Sequence, residues 1–282
     1  IYCMKHYGLA PQEAMPEPGT LQGDSLFNFE ELSAVAGAVV EKLAKGKQKK
    51  LTPIWANNVS LIYDNYLGKL PEKFEYKGKT YTPIEFAQSL GLNPDDYVSL
   101  TSFTHHPFYE KFVVEVQDNW RWAQSYNLPL NELMEVMDHA VRNGYTSDVS
   151  EKGFSSKTCV ATVPLNDKDK DLSHSDAARW MGTDGKAESS VTAKGEKTIT
   201  QEMRQAAYDN WETTDDHGMV IYGLAKDNEG KEYFMVKNSW GDYGKYKGMF
   251  YASKPFVAYK TINILIHKDA LPKDIAKKLG IK

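Results

Sequence analysis

The sequence predicts an α+β protein, a helical part followed by an antiparallel sheet or barrel. Before Tyr97 the apolar residues recur mostly at helical spacing, and from His217 onward short strand-like runs alternate with turn residues. A content of 41% hydrophobic against 26% charged residues over 282 positions is a globular balance with enough apolar material for a core. These textures place a helical lobe with an insert at 1–125, a β-rich lobe at 126–268 and a C-terminal tail at 269–282.

After a Pro-rich stretch (Pro11, Pro16, Pro18), Asn28 to Lys45 sets Leu32, Val35, Ala36, Val39, Val40 and Leu43 on one helical face. Thr52 to Leu67 carries Pro53 at its second position and Gly68 as its stop, which predicts a second helix. Tyr76 to Tyr81 reads as a hairpin around Gly78, and Thr82-Pro83-Ile84-Glu85 as a helix start. Tyr97 to Ser102 and Phe112 to Val116 are strand-like. Leu130 to Asn143 is a helix burying Leu133, Met134, Met137 and Val141, with Gly144 ending it. Leu165 to Lys197 has few large apolar residues and reads as a long surface excursion. Thr198 with Gln201 three positions on matches a capping box, and Met203, Ala207 and Trp211 mark the buried face of the helix behind it. Four strand-like runs follow: His217 to Leu224, Glu232 to Asn238, Gly248 to Tyr251 and Thr261 to His267. They are separated by Asp227-Asn228-Glu229-Gly230, by Gly241 and Gly244, and by Pro255. Asp269 to Lys282 reads as a short helix with a basic end.

A net charge of -4, from 34 basic and 38 acidic residues, provides no footprint for a nucleic-acid backbone. The longest apolar runs, Ala34 to Val40 and Ile262 to Ile266, fall short of the about eighteen residues a bilayer span needs. Two cysteines, Cys3 and Cys159, make no disulfide framework. The opening Ile1-Tyr2-Cys3-Met4, with neither an initiator Met nor a signal-type run, predicts that the chain starts inside a longer protein.

The sharpest chemical signal joins Asp216-His217-Gly218-Met219 to Asn238-Ser239-Trp240-Gly241. His217 and Asn238 are 21 positions apart, which two strands and a turn span, so their side chains are expected to be neighbours. A histidine acting as general base needs one ring nitrogen on the reacting group and the other held by a fixed acceptor. The Asn238 amide oxygen is the expected acceptor, with Trp240 lying over the pair and excluding water.

Those two strings, followed by Gly244 and Lys247-Gly248-Met249-Phe250, resemble the His and Asn motifs of papain-like cysteine peptidases. Further strings, Tyr66-Leu67-Gly68-Lys69-Leu70-Pro71, Thr82-Pro83-Ile84-Glu85-Phe86, Tyr97-Val98-Ser99-Leu100 and Tyr126-Asn127-Leu128-Pro129-Leu130, resemble the bleomycin hydrolase and aminopeptidase C branch, in family order across most of the chain. The resemblance implies a papain-like fold and a cysteine-type aminopeptidase, with His217 and Asn238 catalytic and Trp240 supporting. It also implies peptide substrates, no metal or organic cofactor, a homo-hexameric assembly and a cytoplasmic location, with export left open.

Three features depart from the family pattern. Its nucleophile stands in a Gln…Cys-Trp string at a helix start, where the helix dipole lowers the thiol pKa. Neither Tyr2-Cys3-Met4 nor Thr158-Cys159-Val160 has that context, so both cysteines read as buried or half-buried structural thiols and the Gln and Cys are expected upstream of Ile1. At Gly144 to Val149 the family's longer cleft strand is shortened to almost nothing, and the tail at 269–282 replaces the one that family exopeptidases place in their cleft. The rival from another class is a catalytically inactive papain-like peptide-binding or scaffold protein. A zinc hydrolase built on His105, His106 and His217 is more distant, because His105-His106 lacks a third ligand at metal-site spacing. Trp120, Trp122 and Tyr126 read as packing under the cleft, with a stacking platform as the rival.

Overall fold

A computed structural model describes residues 1–15, 28–151, 160, 161, 163, 196–215, 217–239, 241, 242 and 246–282; the side chains of 148–151 and 160 are outside that description. The expectations attached to Asp216, Trp240, Gly244, Cys159 and most of the Leu165 to Lys197 excursion lie outside the described residues.

The chain divides into two units, Ile1–Pro94 and Asp95–Lys282. The first is helical, as expected: α1 (Tyr2–Tyr7), α2 (Phe29–Ala44), α3 (Ile54–Leu67) and α4 (Pro83–Ser89), with a hairpin of β1 (Phe74–Tyr76) and β2 (Lys79–Tyr81). Asn28 caps α2 by accepting from the Glu30 and Glu31 amides at 2.9 and 3.2 Å. The Tyr66 hydroxyl donates to Glu31 at 2.7 Å and ties α3 to α2. Lys77 and Gly78 turn the hairpin with φ of 49° and 75°, the left-handed pair that a two-residue loop requires. Thr82 and Glu85 form a complete capping box on α4. Behind that cap the Phe86 ring packs edge-on against Phe74, Tyr76 and Tyr81. Cys3 corrects one expectation: α1 buries none of its residues, and the thiol is exposed.

The second unit contains β3 (Tyr97–Thr101), β4 (Lys111–Val113), β5 (Gln124–Asn127), α5 (Leu130–Arg142), β6 (Ser147–Glu151), β7 (Val160–Ala161) and α6 (Gln201–Asp209). It continues through β8 (His217–Lys226), β9 (Glu232–Lys237), β10 (Met249–Ser253), α7 (Lys254–Lys260), β11 (Thr261–His267) and α8 (Lys273–Lys278). Among the described residues the strands form one sheet in the order β4-β5-β3-β11-β6-β8-β9-β10-β7. The order is an open row, so the sheet rather than the barrel describes this lobe. Pairing is antiparallel except at β3–β5 and β10–β7. The division falls at Pro94/Asp95, ahead of the expected 125/126, because β3 pairs with β11 from Asn263↔Thr101 to His267↔Tyr97 and draws β4 and β5 into the same sheet.

Leu133, Val136 and Met137 of α5, Met219 and Ile221 of β8, Phe234 and Val236 of β9 and Ile264 and Ile266 of β11 share one buried cluster. The tail joins it: Leu271, Ile275 and Leu279 are buried there, and Ala270 O accepts from the His139 ring Nδ1 at 3.0 Å. The shortened segment at 144–149 turns out to hold a full strand, since β6 pairs with both β8 and β11. Trp120 and Trp122 are 73% and 74% exposed, against the expectation of core packing. The cause is local. Asn119 holds a tight turn by bonding Val114 O, Ala123 O and the Ala123 amide, each at 2.9 Å, and Trp122 takes φ of 57° within it.

Helix α6 begins two residues later than the capping pattern indicated. Thr200, not Thr198, accepts from the Met203 amide, and the buried positions become Arg204, Gln205 and Ala207 while Trp211 is 58% exposed beyond the helix. Arg204, only 1% exposed, donates from Nε to Ser102 O at 2.8 Å, from one terminal nitrogen to Ala258 O at 2.9 Å and from the other to Ile262 O at 3.1 Å. Its guanidinium lies 4.6 Å from the Phe103 ring. Burial pulls its pKa down to about 9, which leaves it charged at neutral pH. One side chain thereby fastens α6 to the end of β3, to α7 and to β11. Arg204→Ala is expected to lower stability by about 3 kcal/mol or more, since it opens a cavity and strands three carbonyls. Arg204→Lys should recover only part, because an ammonium does not reproduce the planar fork. Urea unfolding midpoints check this, and an unchanged midpoint in the Ala variant refutes it.

Candidate active site

Burial along β8 alternates, with Met219 and Ile221 facing inward and Gly218 and Val220 outward, so His217 at the strand's first position shares the inward face. The β8–β9 register pairs Val220 with Lys237. Continued by one residue, it sets Asn238 opposite Met219 and diagonal to His217 on that face, within reach of a long side chain. The structure brings the two together: His217 Nε2 lies 2.7 Å from Asn238 Oδ1.

A second bond determines the polarity of the first. The Ser239 backbone N–H donates to the same Oδ1 at 2.7 Å, so that atom is the amide oxygen and the imidazole must be the donor. In the neutral ring the proton therefore sits on Nε2 and the basic lone pair on Nδ1. Asn238 is 6% exposed, which weakens competition from water.

The Asn238 backbone is held as firmly as its side chain. Its amide donates to Gly248 O at 2.9 Å. Gly248 has φ of 78°, and a Cβ there would stand 2.2 Å from Gly241 O. The return of the loop to β10 thus needs glycine at 248 for both conformation and space.

His105 and His106 do find a third partner, one that sequence spacing concealed. Glu115, two residues past β4, takes His105 Nε2 on Oε2 and His106 Nε2 on Oε1, both at 3.2 Å. Burial pushes the Glu115 carboxyl up, but the two imidazole bonds outweigh it and hold its pKa below the usual value. Two imidazoles and a carboxylate have the composition of a metal site, yet Gln205 decides otherwise. Its Oε1 accepts from the Thr104 amide at 2.6 Å and its Nε2 donates to Asp209 Oδ1 at 2.7 Å, so the amide group's orientation is determined. That same Nε2 donates to His105 Nδ1 at 3.1 Å, which leaves the His105 proton on Nε2, directed at Glu115. An ion there would require His105 to change tautomer and break the Gln205 bond. The cluster is a hydrogen-bonded brace between the β3–β4 loop and α6.

Sequence reasoning missed the inward polar face of α6. Gln201, Arg204 and Gln205 stand at i, i+3 and i+4, and Gln201 Oε1 accepts from the Leu130 amide at 2.8 Å at the start of α5. The helical spacing of these three was the available signal.

A model of the Peptidase C1-like family matches residues 1–281. Aminopeptidase G of Lactobacillus delbrueckii subsp. lactis is 23% identical over 311 residues, covering 97% of this chain and 62% of that protein. Aminopeptidase E of Lactobacillus helveticus is 23% identical, covering 95% and 61%. Aminopeptidase C of Streptococcus thermophilus is 27% identical, covering 73% and 45%. The chain thus spans about three-fifths of the length of the first two relatives. The crystal structure of PepW from Lactobacillus rhamnosis HN001 superposes with a TM-score of 0.61 at 19% identity, covering 99% of this chain and 63% of that one, which shows a shared papain-like fold.

Removing the acceptor should release the His217 tautomer. In Asn238→Ala, nitrogen NMR of labelled histidine is expected to show His217 moving from a single Nε2–H form to a mixture, with the fold retained. An unchanged nitrogen pattern would mean that Asn238 does not set the ring.

Proposed function

This chain belongs to the Peptidase C1-like family, and from that premise we propose that the protein is a cysteine-type aminopeptidase whose acid–base residue is His217, oriented by Asn238. The observation that carries the reading is the 2.7 Å bond between His217 Nε2 and Asn238 Oδ1, in a polarity that leaves Nδ1 as the nitrogen that exchanges protons. Asn238 is a positioning residue in this scheme.

The nucleophile is assigned to a thiol outside residues 1–282. The chain spans about three-fifths of its aminopeptidase relatives, and neither Cys3 nor Cys159 stands in the Gln…Cys-Trp string that carries the family's nucleophile. In the reaction the thiolate attacks the carbonyl carbon of the first peptide bond. The tetrahedral intermediate collapses, and the leaving amine takes the proton from Nδ1 of the imidazolium. Water then gives a proton back to Nδ1 as it attacks the thioester, which releases the amino-terminal residue as its free acid and regenerates the thiolate. Throughout, Nε2–H stays on Asn238, so the ring does not turn between the two proton transfers.

The test uses the full-length protein and fluorogenic amino-acid amides. Wild-type protein should hydrolyse them, be inactivated by thiol alkylation and be unaffected by chelators. His217→Ala should lose about a hundredfold or more in turnover with its circular dichroism unchanged. Absence of hydrolysis by the wild type would favour the inactive peptide-binding alternative, and more than about a tenth of turnover remaining in His217→Ala would remove that residue from the chemistry.

A further inference from the structure

Strand β9 ends at Lys237, whose ladder partners are Val220 on β8 and Met249 on β10, so Asn238 is the first residue past the sheet. Its anchors differ in kind. The Ser239 N–H on Oδ1 is made within one dipeptide, so it turns with residue 238 and sets the side chain only relative to its own backbone. The Asn238 N–H on Gly248 O, at 2.9 Å, ties that backbone to the residue ahead of β10. The direction of one carbonyl therefore reaches the imidazole through Asn238.

That direction is set by a tight turn. Lys247 and Gly248 take φ of 51° and 78°, and the Met249 N–H closes across them on Tyr246 O at 3.1 Å, the pattern of a type I′ turn. The Tyr246 ring stands edge-on to Tyr251 of β10 at 5.5 Å, which fastens the turn's first residue to the strand it feeds. From the other side Gly241 O closes on Gly248, where a Cβ would stand 2.2 Å away. The same dipeptide recurs in the same conformation at Lys77-Gly78, with φ of 49° and 75°, but there the space around the glycine is open. The two turns share a backbone shape, and the one at 248 is coupled in addition to Gly241 and to Asn238.

We propose that the Lys247-Gly248 turn is a positioning element for His217: it aims Gly248 O at the Asn238 N–H, and Asn238 in turn holds Nε2–H of the ring. Left-handed φ is costly for a residue with a Cβ, and at 248 a Cβ also displaces Gly241 O, so substitution there swings the carbonyl away from Asn238. A hydrogen bond weakens steeply with misalignment, so the loss passes to Oδ1 and frees the imidazole to exchange tautomers. The hold on the ring stands on these contacts alone, whereas its effect on turnover rests on the peptidase reading.

The test compares matched substitutions in the two turns of the full-length protein. Gly248→Ala should convert His217 from the single Nε2–H form to a tautomer mixture in nitrogen NMR. It should also lower kcat on amino-acid amides about tenfold while KM stays within about twofold. Gly78→Ala carries the same conformational penalty and should leave the His217 pattern and kcat at their wild-type values. Where Gly248→Ala does not fold, Lys247→Val and Lys77→Val repeat the comparison more mildly, because a β-branched side chain resists left-handed φ while both glycines are retained. A single Nε2–H form in Gly248→Ala, or in Lys247→Val where that variant carries the test, overturns the proposal, as do equal effects at the two turns. A tautomer mixture in Gly248→Ala beside a wild type that hydrolyses no amide would leave the turn's role standing and remove the peptidase reading.

Discussion

The geometry of the site depends on the register between β8 and β9. A strand's side chains alternate with a period of two, so a slip of one residue would send His217 to the opposite face of the sheet while Asn238 stayed where it is. Several features hold the register. Met219 and Ile221 of β8 are buried in one cluster with Phe234 and Val236 of β9, and a slip of β8 would turn both of its residues out of that cluster. Beyond Ile221 the pairing shifts by one residue, and Gly223 there lies against the Met235 side chain, which pins the ladder at a second point. The Asn238 amide on Gly248 O then extends the pairing into the loop, and the Ser239 amide orients the side chain. The bond to the imidazole is the last member of this series and inherits its precision from the earlier ones.

Helix α6 is held in the second unit by polar rather than apolar contacts. Most helices in such a unit bury an apolar stripe; this one buries an arginine and a glutamine together with an alanine. Desolvating a guanidinium is costly, and Arg204 has no carboxylate partner among the described residues, so three carbonyls and an aromatic ring compensate it. Such an arrangement is specific where an apolar face would be tolerant. A leucine could slide by a fraction of a turn, whereas a planar fork matched to the carbonyls of Ser102, Ala258 and Ile262 has one seat.

Much of this was legible in the residues. Periodicity found α2, α3 and α5, hairpin and capping chemistry found β1–β2 and the start of α4, and the His217 and Asn238 strings identified neighbours that lie 2.7 Å apart. The failures have physical causes. Helix α7 was hidden because Pro255 reads as a breaker, although proline in a first turn with Ser253 as cap is a helix start. The capping pattern at Thr198 misled because Thr200 offers the same hydroxyl two residues on, and the displaced register moved Trp211 out of the core and Arg204 into it. Glu115 as the partner of both histidines was beyond spacing arguments, since it reaches them through a loop rather than along a helix. The exposure of Trp120 and Trp122 follows from the turn-forming bonds of Asn119, which outweigh the general tendency of tryptophan to be buried.

The position of β11 has a consequence for how the protein comes off the ribosome. This strand lies inside the sheet, between β3 and β6, while its residues, 261–267, are among the last of these 282 to be synthesised. Until they emerge, β3, β4 and β5 have no strand joining them to the rest of the sheet, and the cluster that Leu271, Ile275 and Leu279 complete stays open. Translation therefore exposes a partly assembled sheet with unpaired edges, which is an aggregation-prone intermediate until residues 261–267 arrive.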